Sequence, residues 1–270
     1  MLKGDKMKSE KLEFSSVLYY FCDSIYKNRS GLSENFLSIV RKMGFDDISR
    51  VDIIENVYIN GLLKHRHRSI PLEKVEEELK KRVFDDDTGC ISISNSGRGK
   101  KARWQIGWFL STVTPLGRKK TFDHVDITCD GEILSDRTKQ EKFIGMFCAL
   151  ADLLNAFYGR IEDISTAISV MDRTKERCFS DEYLQSIYWG NYFGKKICED
   201  LGQEKLERLP VAHKEFTEAG FFFTLTDDIK DSATFPDWRL RKKVYKQLAP
   251  SRKCRLSDFK CADGQNEPET

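Results

Sequence analysis

The residues able to do chemistry are few and scattered. His65-Arg66-His67 is the one close histidine pair. On a strand, alternate residues share a face, so both imidazoles could reach one metal ion. Lys64, Arg66 and Arg68 crowd them with positive charge, and no carboxylate lies nearby in sequence. A solvated basic loop is the plainer reading. His124 sits among Asp123, Asp126 and Asp130, and on a strand it shares a face with Asp126. That pair would suit proton transfer in a small hydrolase. Cys148 or Cys198 with His124 or His213 would make a nucleophile and base, but no local motif supports the pairing. Asp85-Asp86-Asp87 lacks the twelve-residue ligand spacing of a calcium loop. These residues imply no metal or cofactor and no catalytic centre.

Two basic turns are the next feature. Arg98, Lys100, Lys101 and Arg103 precede Trp104, and Arg118, Lys119 and Lys120 follow Pro115-Leu116-Gly117. The first run fails the spacing of a phosphate-binding loop. Together the turns could form a positive patch for an acidic protein partner. With Trp104 and Trp108 as stacking surfaces they could instead serve a nucleic-acid-binding module. Two charged hairpin tips over core tryptophans are the simpler expectation.

Composition sets the bounds. The chain has 270 residues, 40% hydrophobic and 33% charged, with 45 basic and 43 acidic side chains and a net charge of +2. This is a globular balance with no global field to gather nucleic acid or an anionic membrane. Eight cysteines are spread without a C-x-x-C pair. Several, such as Cys148, fall in apolar runs and read as small buried hydrophobes, while Cys254 and Cys261 sit in a polar tail; a reducing compartment is expected, hence a cytoplasmic protein. Acidic residues interrupt the N-terminal basic region, so no signal peptide is expected. The apolar run Phe143–Ala151 is far too short to span a bilayer.

The elements that must position these residues follow from periodicity. Leu12–Tyr26 reads as a strand, a helix capped by Ser33 follows, and Val51–Leu63 holds another strand. Pro71 opens a helix with Leu72, Val75, Leu79 and Val83 on one stripe. Cys90–Ser94, Trp104–Val113 and Phe122–Cys129 alternate and are separated by turns, predicting a three-strand meander. Thr138 and Glu141 suggest a capping box. The helix they open carries Phe143, Met146, Phe147, Leu150, Leu153, Leu154 and Phe157 at helical spacing, ending at Gly159. Arg160–Val170 reads as a strand and Asp181–Tyr188 as a helix. Short helices over Gly194–Leu201 and Gln203–Leu209, a hairpin across Glu218-Ala219-Gly220, and a helix Asp237–Leu248 complete the chain. The expected class is α+β, a mainly antiparallel sheet with helices packed on one side. One domain spans residues 1–250, with 1–89 a possible sub-lobe and 251–270 a disordered polar tail.

One stretch stands apart: Tyr188-Trp189-Gly190-Asn191-Tyr192-Phe193-Gly194. Its aromatics and glycines recur four apart, so it reads as a helix break docked on the core, its glycines admitting a neighbouring backbone. The alternative is an exposed aromatic anchor. The region from Asp136 to Leu248 resembles the bacterial polymorphic-toxin immunity proteins. The matching residues are Phe157-Tyr158-Gly159, then Tyr188–Gly194, Leu201-Gly202, Leu206 to Pro210, and a strand pair around Ala219-Gly220 and Leu225-Thr226. Ala219-Gly220 departs from the glycine pair of that pattern. The resemblance implies a non-catalytic α+β inhibitor that binds and neutralises a cognate toxin. It does not assign a toxin-binding residue.

Overall fold

The computed structural model describes residues 13–21, 31–44, 47–59, 62–74, 77–78, 89–95, 103–110, 122–134, 136–164, 187–233 and 235–248. Ten strands form one antiparallel sheet. They are β1 (Glu13–Phe21), β2 (Arg50–Ile59), β3 (Leu62–Ile70), β4 (Gly89–Ser94), β5 (Trp104–Leu110), β6 (Phe122–Asp130), β7 (Tyr158–Asp163), β8 (Gly190–Gly194), β9 (His213–Phe216) and β10 (Gly220–Thr224). Their order is β3-β2-β4-β5-β6-β1-β7-β8-β10-β9. The fold is α+β. The β4-β5-β6 meander and the β9-β10 hairpin are as expected. β2 and β3, from the N-terminal third, join the same sheet through β4.

Five α-helices flank this sheet among the described residues: α1 (Leu32–Lys42), α2 (Arg137–Leu153), α3 (Lys195–Leu201), α4 (Gln203–Glu207) and α5 (Phe235–Leu248). They lie on both faces rather than one. Successive strand residues point to opposite faces. In β1, Phe14, Leu18 and Tyr20 join a core with Phe36 and Val40 of α1 and with Phe143, Phe147 and Leu150 of α2. Val17 and Tyr19 join a second core with Ile197 of α3, Leu206 of α4 and Val244 of α5. Strands β7, β8 and β10 are therefore buried on both faces and lose the apolar–polar alternation that marks a half-exposed strand, while β9 is exposed at the edge.

Local chemistry moves several boundaries. α1 follows Gly31, whose φ is 77°, and Ser33 lies inside the helix instead of capping it. Asp136, not Thr138, caps α2 by accepting from the Lys139 N–H at 2.9 Å. α2 ends at Leu153, and Asn155, at φ 48°, turns the chain before Gly159 is reached. Gly159 and Arg160 belong to β7, which stops at Asp163. His65-Arg66-His67 lies within edge strand β3, not in a loop. After Pro71 the described residues form a 3-10 turn, Leu72–Lys74, and a helical pair, Glu77 and Glu78; the rest of the expected helix lies outside the described residues. Residues 85–87, 165–186 and 251–270 lie outside the described residues.

Tyr188–Gly194 is not a helix break. Gly190–Gly194 is strand β8, paired with β7 on one side and β10 on the other, and every residue in it is buried. Tyr192 enters the first core and Phe193 the second. The stretch is buried within the sheet, and its glycines admit close backbone. A Cβ on Gly194 would stand 2.7 Å from Phe157 Cα, inside contact distance of neighbouring main chain. Asn191 closes the bend before the strand. Its Oδ1 accepts from Tyr188 N–H at 3.0 Å and its Nδ2 donates to Tyr188 C=O at 2.8 Å, satisfying both buried groups.

Candidate functional site

The register lines up side chains across the strands. Reading from β4 to β9 on the α3–α5 face, paired positions are Cys90, Phe109, His124, Tyr19, Tyr158, Phe193, Phe221 and Phe216. Seven of these eight are aromatic rings. Phe109 and His124 stack with centroids 4.3 Å apart, Tyr19 follows His124 at 5.8 Å, and Tyr158 follows Tyr19 at 6.2 Å. Tyr158 and Phe193 are 6.3 Å apart, and Phe221 and Phe216 4.7 Å. Such cross-strand pairs each add a few tenths of a kcal/mol to about 1 kcal/mol. The motif residue Phe193 is one link of this row.

The next row on the same face is Ser92, Gly107, Asp126, Val17, Arg160, Asn191, Phe223 and Lys214. At its β8–β10 end Asn191 and Phe223 are buried. Its other end is polar. There His124 Nε2 lies 3.7 Å from Asp126 Oδ2, with both side chains half-buried. The Arg160 guanidinium sits 4.9 Å from the centre of the Tyr188 ring. The sequence pairing of His124 with Asp126 is thus realised, and Arg160, which sequence reasoning did not single out, faces them across Val17.

The electrostatics limit what the cluster can do. Burial lifts the Asp126 carboxyl to about 6, partly offset by the Arg160 guanidinium. Cys90, on the same face, is pushed up to about 12 by burial and then by the Asp126 charge, so it is a thiol at neutral pH and a poor nucleophile. Cys198 is likewise pushed up to about 12 by burial. Cys148 is raised further by burial and by Glu215, to which it donates at 3.8 Å. His213 lies on the exposed edge strand β9 and pairs with Glu215 at 3.6 Å. Asp126 and His124 face each other at 3.7 Å, beyond hydrogen-bond distance, and the raised thiols of Cys90, Cys148 and Cys198 supply no activated thiolate. Among the described residues, no group of three or more His, Cys, Asp or Glu side chains could hold a metal ion.

The raised Asp126 carboxyl has a measurable consequence. The folded state holds this proton more tightly than the unfolded chain, where aspartate titrates near about 3.9. Stability therefore falls as pH rises between about 4 and 6. The side chain is 37% exposed, and solvent screening holds the effect to about 1 kcal/mol at most. Asp126→Asn is expected to stabilise the protein at neutral pH and to flatten that part of the profile. Urea unfolding across this range tests it, and an unchanged profile would count against the assignment.

A different charged pair lies deeper. Glu162 on β7 and Arg241 on α5 are both buried, with Arg241 Nη1 2.5 Å from Glu162 Oε2. Glu162 also accepts from the Trp189 and Asp163 N–H groups, at 3.0 and 3.1 Å. Arg241 Nη1 further donates to Ile187 C=O at 2.9 Å. The cluster locks α5 and the approach to β8 onto β7.

The ten-strand order with helices on both faces permits comparison with solved structures. The fold is similar to that of a T6SS protein of Pseudomonas aeruginosa, PA0821. The TM-score is 0.58, covering 88% of this chain and 76% of that one, at 11% sequence identity. The likeness to the T6SS protein is one of fold. No protein family and no curated protein sequence matches the chain. No helix among the described residues is long and apolar enough to cross a membrane. The expected basic partner-binding residues Arg98, Lys100, Lys101, Arg118, Lys119 and Lys120 lie outside the described residues.

Proposed function

We propose that this chain is a non-catalytic immunity protein that binds a cognate bacterial toxin in the cytoplasm and neutralises it by covering the toxin's active site. The observation that carries the reading is the fold shared with a type VI secretion system protein over 88% of the chain. It accords with the resemblance to polymorphic-toxin immunity proteins, whose central stretch here forms buried strand β8. A rigid scaffold of that kind can hold a surface complementary to a partner at little ordering cost. The test is rescue. The toxin candidate encoded beside this gene is expressed in a sensitive host with and without the protein, and the two are co-purified. Survival with a stable complex is expected; death in both cases and no complex would refute the proposal.

A second reading, a small hydrolase using His124 with Asp126, draws on their 3.7 Å approach. The two readings separate on one variant. As an inhibitor, the protein should rescue equally well as wild type or His124→Ala. Rescue lost in His124→Ala, with binding and folding intact, would favour catalysis.

A further inference from the structure

The outer face of α5 carries a concentration of charge that the overall balance hides. From Arg239 to Lys246 the helix holds five basic residues and no acidic one. Arg241 points inward and is neutralised by Glu162. Arg239, Lys242, Lys243 and Lys246 are exposed. At 3.6 residues per turn they fall within an arc of about 100° and along about 10 Å of helix. Val244 and Leu248 lie on the opposite side, in the core. Lys242, Lys243 and Lys246 have no ion-pair partner among the described residues, whereas Lys196 on α3 pairs with Asp200 and Arg208, just past α4, pairs with Glu204. Tyr245, on the flank of the stripe, is one of two large exposed hydrophobic side chains among the described residues and is 38% exposed.

These four cations carry twice the net charge of the whole chain, which is +2. The rest of the protein is therefore net negative. A long polyanion laid along the stripe would leave it after about 10 Å and meet that negative remainder. A compact acidic patch on a folded protein would not. Tyrosine beside basic residues is also what partner surfaces favour, since it adds contact area at low entropic cost.

We infer that the exposed face of α5, built from Arg239, Lys242, Lys243 and Lys246 with Tyr245 at its flank, docks an acidic patch on the surface of a protein partner. The inference rests on the immunity reading for the partner's identity, the cognate toxin. The cations would steer the encounter, and Tyr245 would hold the docked state.

The experiment measures association and dissociation of the full-length chain with immobilised neighbouring toxin, between about 50 and 200 mM salt, where screening changes most. The triple variant Lys242→Glu, Lys243→Glu, Lys246→Glu replaces exposed, unpaired side chains, and an unchanged melting temperature verifies its fold. Its association rate is expected to fall at least tenfold at low salt and to lose the wild-type decrease with added salt. Tyr245→Ala is expected to speed dissociation several-fold with little change in association. Arg137→Glu with Lys142→Glu, on the opposite helical layer, serves as the control and should bind as wild type. If wild type binds and rescues while the triple variant associates equally fast, the docking inference is overturned and the immunity reading stands. If wild type neither binds nor rescues, both fall. If the triple variant loses affinity for a short DNA duplex but not for the toxin, the stripe is a polyanion site and the inference is overturned.

Discussion

Replacing Glu162 by alanine is expected to cost about 3–5 kcal/mol, the usual range when one member of a buried ion pair is removed. The value should lie toward the upper end. Glu162 is fully buried and serves three donors: the Arg241 guanidinium and the Trp189 and Asp163 amides. Its loss leaves a charge and two N–H groups in the core, each unsatisfied amide costing about 1–3 kcal/mol. Arg241→Met should cost less, since Glu162 would keep both amide bonds. The double variant Glu162→Met with Arg241→Met should be less destabilised than the sum of the singles, because the charge penalty disappears with its partner. Equilibrium urea unfolding gives all three values. Strict additivity, or a Glu162→Ala cost below about 1 kcal/mol, would show that the pair does not hold α5 to the sheet.

The second large effect is expected at Gly194. A Cβ there would overlap the Ala156 carbonyl oxygen, and would lie 2.7 Å from Phe157 Cα and 3.1 Å from Phe157 O. These are backbone atoms of the turn leading into β7, and Phe157 O already accepts from Gly194 N–H at 2.9 Å. No rotamer change can relieve the overlap; the strands must separate. Gly194→Ala should therefore cost about 3 kcal/mol or more, at the top of the overpacking range. Gly145 supplies the contrast. It lies inside α2, and a Cβ there would make only ordinary contact, 3.5 Å from Met43 Cε. Gly145→Ala is expected to stabilise the protein by up to about 1 kcal/mol through helix propensity. Thermal melts of the two variants should move in opposite directions. Comparable melting temperatures for both would refute the close-approach account.

The two effects mark where sequence reading stopped. The spacing of glycines in the central stretch points to close backbone approach, yet the same four-residue spacing mimics a helical period. A strand buried on both faces has no polar side to alternate with, so Gly190–Gly194 carries no period-two signal. His124 and Asp126 were legible as a pair because they lie two apart on one strand. Arg160 was not, since it reaches that face by pairing through β1. The Glu162–Arg241 contact joins positions far apart in the chain, and neither residue type is expected in a core.

By itself the sequence determined the local elements: the alternating runs of β4, β5 and β6, the β9–β10 hairpin, the apolar stripe of α2 and the α+β class. These are set by neighbours within a few residues, where backbone period and turn chemistry act. Only the tertiary structure decided which strands are covered on both faces, how the row from Phe109 to Phe216 forms, and which of the α5 basic residues is buried. Those outcomes depend on strand order and helix placement, and burial of a charge is decided by whether a distant partner arrives to pay its desolvation cost.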